Sequence, residues 1–247
     1  MELKVNKSFD FVDYLLDEPL PEDINKIPKG EPFVCMFSGG KDCMLALSVA
    51  CETGIPSALI HSMYAEEEEA VSILHMQKQS LIERQAELMN IPLEVTRGSI
   101  VERWPNLVRV LKKYARKGIK YVVIGDLVYA KSSVHYINLC TAAGLIPKMP
   151  LLNMPYEKLW KEMEQRKIHC LITSIKTPVL SDDWLGKPYN RDTVNELEAI
   201  GVDPFGEYTE FHTTVVNAAL FKEPLAYKLQ RVEGSFRGSR RILVCPV

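Results

Sequence analysis

A short glycine-containing segment is the part of the sequence best suited to chemistry. Residues 38–43 read Ser-Gly-Gly-Lys-Asp-Cys and stand between an apolar run at 33–37 and an apolar helical pattern. Since Gly39 and Gly40 have no side chains, backbone N–H groups there can point at an anion, and the following helix N-terminus adds the positive end of its dipole. Lys41 adds a mobile cation. The arrangement predicts a phosphate-binding loop, and the alternative is a plain turn before an ordinary polar helix start.

The spacing of this loop differs from two common phosphate-binding patterns. The Walker loop has four residues between its first glycine and Gly-Lys-Ser/Thr. The dinucleotide fingerprint has a third glycine, which is absent here. The loop therefore fits neither pattern.

A second polar cluster lies far downstream, where Glu207, Glu210 and His212 fall within six residues. In a strand, Glu210 and His212 would share a face because they are two residues apart. The ordinary pKa of histidine suits it to accept a proton near neutral pH. The alternative is the polar rim of a turn with solvated charges.

Length and charge limit the classes of protein and partner. The chain has 247 residues, 47% of them apolar, and a formal net charge of −2. This length predicts a nucleotide-binding domain with a smaller lobe rather than two full domains. The charge gives no general attraction to nucleic acid or to a membrane surface, so neither partner is expected. No apolar run approaches a membrane span and the first residues lack the apolar region of a secretory signal, so we expect a cytoplasmic protein.

The six cysteines contain no Cys-x-x-Cys pair. This spacing indicates neither a zinc knuckle nor a disulfide framework. We expect most of these side chains to be small buried hydrophobic groups.

Strand-like and helix-like patterns alternate over the first two thirds of the chain. The predicted strands are 33–37, 57–64, 92–96 and 120–124, and the predicted helices are 69–89, 101–117 and 131–143. Near-continuous apolar strands separated by helices favour an α/β fold with a doubly wound parallel sheet. Ligands bind beyond the carboxyl ends of such strands, which is where the glycine loop falls.

The sequence divides into three predicted regions. Residues 1–30 form an N-terminal appendage, 31–143 the nucleotide-binding domain, and 144–247 a smaller α+β lobe. Within the appendage we expect a short amphipathic helix around 9–16. Within the last region we expect a helix at 156–167, a strand at 169–175, a loop-rich stretch at 177–208, and β ribbons at 213–217, 226–233 and 240–244.

The motifs resemble the PP-loop superfamily of N-type ATP pyrophosphatases and, within it, the diphthine ammonia ligase family. The loop at 38–42 after a first strand looks like the superfamily's loop. His75 is similar to the family's histidine-containing helix. Further similar segments are Arg-Gln-Ala-Glu-Leu-Met-Asn-Ile-Pro-Leu at 84–93, Ile-Gly-Asp at 124–126, Gly-Glu-Tyr-Thr-Glu-Phe-His-Thr at 206–213 and Ala-Leu-Phe at 219–221. The resemblance implies a HUP-like ATP-binding domain at 31–143 and a lobe for the acceptor substrate at 144–247.

The chain departs from the family pattern at four places. Cys43 stands where the loop normally has serine, which exchanges a strong hydroxyl donor for a weak thiol. Thr209 replaces a glycine. The stretch that begins at Tyr129 and the pair Leu152 and Asn153 also differ from the usual residues. A paralogue that amidates a different carboxylate is therefore an open alternative.

The resemblance implies an ATP-dependent amide ligase. Such an enzyme adenylates a carboxylate, releases pyrophosphate, and lets ammonia displace AMP. The implied cofactors are ATP and Mg²⁺, with Asp42 as the metal contact. The implied nucleotide-binding residues are Phe37, Ser38, Gly39, Gly40, Lys41, Asp42, Cys43, Ile60, His61, Ser62, His75, Gly125 and Asp126. The implied catalytic residues are Lys41, Asp42, Glu207, Glu210 and His212.

The implied partners are ammonium and a carboxylate acceptor, either diphthine in elongation factor 2 or a small molecule. Glu207 and Glu210 would attract the ammonium ion, and His212 would take its proton. One alternative is a PP-loop enzyme that adenylates a small molecule or a tRNA for amination or thiolation. A second alternative is a module that senses ATP without turnover. A homodimer is an open alternative for the assembly.

Overall fold

The computed structural model describes residues 23–64, 77–99, 101–129, 131–235 and 238–247. The helix predicted around 9–16 and the nucleotide-binding role predicted for His75 lie outside the described residues. Among the described helices, none is long and apolar enough to cross a membrane.

The first lobe is built on a parallel sheet of five strands. The strands are β1 (Pro32–Met36), β2 (Ile55–Tyr64), β3 (Leu93–Gly98), β4 (Tyr121–Val123) and β5 (Ile146–Lys148). Their order is β3-β2-β1-β4-β5, and every neighbouring pair is parallel. The sheet therefore extends to one side from β1 to β2 and to the other from β1 to β4, and the crevice between these directions is where such folds bind ligands. The parallel sheet reaches Lys148, beyond the boundary at 143 that the sequence predicts.

Helices cover both faces of this sheet. They are α1 (Lys41–Ala50), α2 (Gln79–Met89), α3 (Arg103–Arg116) and α4 (Lys131–Ala143). Successive residues of β1 point to opposite faces, so Phe33 joins the apolar cluster under α1 and α2, whereas Val34 joins the cluster under α3 and α4. The predicted doubly wound α/β fold is confirmed.

The second lobe contains an antiparallel sheet. Its elements are α5 (Tyr156–Gln165), β6 (His169–Lys176), β7 (Pro188–Tyr189), α6 (Arg191–Ala199), β8 (Phe211–Asn217), β9 (Tyr227–Arg231) and β10 (Ser239–Pro246). Strand β6 is central, because β8 pairs with it along its length and β7 and β10 pair with it as well. Helix α6 lies inside the stretch predicted as loop-rich, and its N-terminus is capped by Asn190, whose side chain accepts a hydrogen bond from Thr193 N.

The two lobes meet at the glycine loop between β1 and α1. Val215 N of β8 donates to Gly39 O at 3.0 Å. The Thr213 hydroxyl accepts from Lys41 N at 3.2 Å. The second lobe thus holds the start of α1 in place and forms one wall beside it.

Candidate functional site

At its centre, the glycine loop has a backbone conformation that only glycine adopts without strain. Gly39 has a φ of +82°, and a Cβ there would lie 2.5 Å from Gln85 Oε1. Gln85 is fully buried, and its Nε2 donates to Gly39 O at 3.1 Å and to Val215 O at 2.7 Å. A side chain from α2 therefore clamps the loop against β8.

The thiol of Cys43 closes the loop from inside. Its Sγ accepts from Ser38 N at 3.3 Å and lies 3.3 Å from Ser38 Oγ, while it donates to Gly40 O at 3.2 Å. Burial raises the pKa of this thiol, so it stays protonated and keeps its donor. Cys43 thus performs the loop-closing role of a hydroxyl with longer and weaker bonds.

Lys41 is turned toward the second lobe. Its side chain is only 4% exposed, and its ammonium lies 2.6 Å from Phe205 O and 2.9 Å from Asp42 Oδ2. Burial lowers the pKa of Lys41, but the charges of Asp42 and Glu207 outweigh burial, so the pKa is raised and the group stays charged. The charged end of Lys41, predicted to be a mobile cation, therefore lies beside the loop, between Asp42 and the second lobe.

The chain after β4 packs closely on the first turn of α1. A Cβ at Gly125 would lie 2.9 Å from both Asp42 C and Cys43 N, so this close approach requires glycine. Asp126 follows, and its Oδ2 accepts from Ser133 Oγ at 2.6 Å. Burial raises the pKa of Asp126, and the charge of Asp42 adds to that effect. Two carboxylates are thereby held at the edge where the sheet changes direction.

A cavity of about 300 Å³ joins these parts. Its walls include nearly all of the predicted site residues that the structure describes: Phe37, Ser38, Gly40, Lys41, Asp42, Cys43, Ile60, His61, Ser62, Gly125, Asp126, Glu207 and His212. Gly39 does not line the cavity; its carbonyl oxygen accepts from Gln85 of α2 and from Val215 of β8. A second cavity of about 540 Å³, around Trp160 and Arg191, is lined by none of the predicted site residues.

The acidic side of the first cavity contains Asp42, Asp126 and Glu207. Burial raises the pKa of Glu207 well above its ordinary value, and the charge of Asp42 raises it further. Among the described residues, no three or more histidine, cysteine, aspartate or glutamate side chains are grouped so that they could hold a metal ion. Mg²⁺ normally takes one or two carboxylates and completes its shell with phosphate oxygens and water, and Asp42 and Asp126 fit that requirement.

Of the three residues in the downstream cluster, Glu207 and His212 line the cavity and Glu210 does not. His212 lies on β8 in the cavity wall, and burial together with the charge of Lys41 lowers its pKa to about 4. His212 is therefore neutral at physiological pH and a weak base. Glu210 does not line the cavity, and its Oε2 accepts from Tyr208 N at 3.1 Å, which closes the turn before β8. Glu207 is the member whose position and raised pKa both suit proton transfer.

The opposite end of the cavity is basic and aromatic. His61 Nδ1 lies 2.8 Å from Phe37 O and must carry the proton, because a carbonyl oxygen only accepts. Burial lowers the pKa of His61, and the charge of Arg103 adds to the lowering. Its Nε2 is buried without a hydrogen-bond partner among the described residues. This end of the cavity is therefore suited to bind the polar, uncharged edge of a ring, with the His61 Nε2 as a hydrogen-bond partner.

The sequence interpretation missed Arg103 and Tyr136, which complete this end of the cavity. Arg103 is 3% exposed, and its Nε donates to Ser62 Oγ at 3.1 Å. It is also the first residue of α3, where a cation opposes the helix dipole. A basic residue at that position was the available signal for Arg103, whereas nothing in the local pattern pointed to Tyr136.

The geometry fits a nucleotide with its phosphates on the glycine loop. Gly40 and Gly125 line the cavity, and because neither has a side chain, their backbone atoms are open to it. The first N–H groups of α1 have no partners within the helix, and they begin at this loop. Anions bind at such helix starts, and the acidic side of the cavity suits a divalent cation that accompanies the phosphates.

The chain matches two family models over most of its length. The model described as diphthamide synthase N-terminal domain matches residues 32–147, and the model described as diphthamide synthase C-terminal domain matches residues 155–242. No curated protein matches the chain.

Solved structures show weaker similarity. A predicted subunit of tRNA methyltransferase from Methanocaldococcus jannaschii has a TM-score of 0.40 and 18% identity, over 79% of this chain and 100% of that one. The U34-tRNA thiolase NcsA from Methanococcus maripaludis, solved with its 4Fe–4S cluster, has a TM-score of 0.35 and 15% identity, over 59% of this chain and 58% of that one. These TM-scores are low and transfer no activity to this chain.

Proposed function

Because the chain belongs to the diphthamide synthase family of ATP-using PP-loop enzymes, we propose that it is an ATP-dependent amide ligase. It adenylates a carboxylate, releases pyrophosphate, and transfers ammonia to the acyl adenylate. The observation that carries this proposal is the shared cavity. The phosphate loop and the carboxyl of Glu207 face the same space of about 300 Å³, so activation and amination have one site.

In the first step, the carboxylate oxygen of the acceptor attacks the α-phosphorus of ATP, and pyrophosphate leaves. The backbone of the glycine loop and the start of α1 hold the leaving group, where negative charge accumulates. Asp42 and Asp126 are the residues that would hold Mg²⁺. When bound, the metal would neutralise part of the negative charge on the phosphates.

In the second step, an ammonium ion must lose a proton before it can attack. Ammonium predominates over ammonia at neutral pH, so a nearby base is required. The raised pKa of Glu207 makes its carboxylate a stronger base than an ordinary glutamate, so it accepts a proton from ammonium more readily. The pKa of His212, about 4, suits a neutral hydrogen-bonding role instead of the predicted role as base.

The acceptor is a carboxylate, and diphthine of elongation factor 2 is the first candidate because the family is named for that modification. Because the residues at Thr209 and around Tyr129 differ from the family pattern, small carboxylates should be tested as acceptors alongside diphthine. The predictions of a cytoplasmic location, of no nucleic-acid partner and of a homodimer stay predictions.

The decisive experiment incubates the protein with Mg·ATP, ammonium and candidate carboxylates labelled with ¹⁸O. We expect AMP and pyrophosphate in equal amounts, an amide product, and one labelled oxygen in AMP. Formation of ADP and phosphate would refute adenylation. An AMP-forming reaction that does not depend on ammonium would refute the amide ligase.

Two variants provide a matched comparison within the downstream cluster. Glu207→Gln removes the carboxylate that faces the cavity, so amide formation should fall at least about a hundredfold, the lower end of general acid–base effects. Glu210→Gln keeps an oxygen for Tyr208 N and should retain most activity. Equal losses in the two variants would contradict the role of Glu207.

A further inference from the structure

The ammonium group of Lys41 occupies a cage made by the second lobe. It lies 2.6 Å from Phe205 O, and the ring centroids of Phe205, Phe211 and Tyr189 lie 5.5, 5.8 and 5.8 Å away. Asp42, on α1 of the first lobe, also lies 2.9 Å from this ammonium but is not part of the cage. Aromatic faces, a carbonyl oxygen and carboxylates are the groups that bind a small ammonium ion.

The cage is built independently of Lys41. Asp203 Oδ1 accepts from Phe205 N at 2.9 Å and from Glu207 N at 3.2 Å, and its Oδ2 accepts from Tyr156 at 2.6 Å. The Tyr189 hydroxyl donates to Pro204 O at 2.6 Å. These bonds fix the carbonyl of Phe205 and the backbone of Glu207, so the cage should persist when its occupant leaves.

Lys41 also belongs to the loop on which the phosphates would bind. Its flexible four-carbon stem lets the ammonium turn from the cage to a phosphate oxygen. One ammonium cannot occupy both places at once, and a bound triphosphate offers far more negative charge than the cage.

We propose that the aromatic cage is the binding site of the substrate ammonium ion, and that Lys41 fills it until a bound triphosphate draws the lysine away. This inference rests on the proposed amide ligase function. Nucleotide therefore binds before ammonium, and the ammonium ion is held beside Glu207.

The step that follows is balanced. The ammonium ion gives one proton to the Glu207 carboxylate and becomes ammonia. The nitrogen lone pair forms the C–N bond to the acyl carbon, and the C–O bond to AMP breaks with its electron pair leaving on AMP. The nitrogen then loses a second proton to water, which yields the neutral amide.

The test measures ammonium binding by thermal unfolding and needs no acceptor. Tm is recorded with ammonium chloride and with sodium chloride at equal ionic strength. For the wild type we expect an ammonium-specific rise in Tm only when α,β-methylene-ATP and Mg²⁺ are present. For Lys41→Ala we expect the rise without nucleotide, also with methylammonium, whereas the matched surface variant Lys158→Ala should behave as the wild type.

A second substitution tests the rings directly. In the Lys41→Ala background, Phe205→Leu removes one aromatic face and should weaken the apparent ammonium affinity about tenfold. Absence of an ammonium-specific shift in Lys41→Ala would overturn the proposal. If that variant does not fold, absence of the shift in the wild type with the bound analogue overturns it.

The outcomes also separate this proposal from the proposed function. Ammonium binding in the cage without any release of pyrophosphate by the wild type would refute the ligase and keep the cage. Amide formation whose ammonium KM is unchanged by Phe205→Leu would refute the cage and keep the ligase.

Discussion

The substitution Gly39→Ala tests whether the clamp between the lobes holds the phosphate loop. Gly39 has a φ of +82°, and the left-handed conformation costs a non-glycine residue about 1–2 kcal/mol. The new Cβ would lie 2.5 Å from Gln85 Oε1, so the buried Gln85 side chain must move and lose its bonds to Gly39 O and Val215 O. Each bond contributes about 1 kcal/mol. The expected loss is therefore about 3–4 kcal/mol of unfolding free energy.

A matched control separates the clamp from backbone strain. Gly118 has a φ of +86° and nothing within 4 Å of an added Cβ, so Gly118→Ala should cost only the strain, about 1–2 kcal/mol. The assay is urea-induced unfolding of both variants, with ATP binding measured by titration calorimetry. Gly39→Ala should also abolish detectable ATP binding, whereas Gly118→Ala should bind as the wild type does.

Two results would refute this reasoning. The first is a destabilisation by Gly39→Ala that is no larger than that of Gly118→Ala. The second comes from the double-mutant cycle with Gln85→Ala. Removal of Gln85 should lower the cost of Gly39→Ala to the backbone strain and the remaining contact with Ile82 Cδ1 at 2.6 Å. Additive effects would show that Gly39 and Gln85 are not coupled.

Four further outcomes follow from the site. Cys43→Ser should tighten ATP binding about fivefold in calorimetry, because a hydroxyl bonds Ser38 N more strongly than the thiol does; weaker binding would contradict this. Gly125→Ala should weaken ATP binding at least about tenfold with the fold intact by circular dichroism, since its Cβ would lie 2.9 Å from Cys43 N. Glu207→Gln should gain stability relative to wild type as pH rises from 4.5 to the raised pKa of Glu207, because over that range the folded protein keeps a proton that the unfolded chain has lost; parallel stability curves of the two proteins would contradict this. His212→Gln should leave the shape of the pH–rate profile unchanged between about pH 6 and 8, because the pKa of His212 is already about 4.

Local pattern explains why much of the fold could be predicted. The apolar run at 33–37 followed by two glycines and an apolar helix forms β1, the loop and α1 almost where expected. These elements depend on neighbours in sequence. Helix α6 was missed because the density of proline and glycine around it outweighed its cap at Asn190.

The parts of the site that could not be predicted depend on tertiary contacts. The direction of the Lys41 side chain is set by Phe205, 164 residues away in sequence. The lowered pKa of His212 comes from burial and from the nearby charge of Lys41, neither of which is visible in the order of residues. The motif at 206–213 identified the segment, but only the structure distinguishes Glu207, which lines the cavity, from Glu210, which closes a turn.

The contacts between the glycine loop and β8 also determine when the protein becomes able to bind its ligand during synthesis. The bond from Lys41 N to Thr213 Oγ1 joins residues 172 apart. On the ribosome, the loop emerges long before the strand that supports it, so the nascent first lobe has an incomplete cradle. Capture of nucleotide is therefore one of the last properties that the growing chain acquires, and truncated products should not compete with the finished protein for ATP.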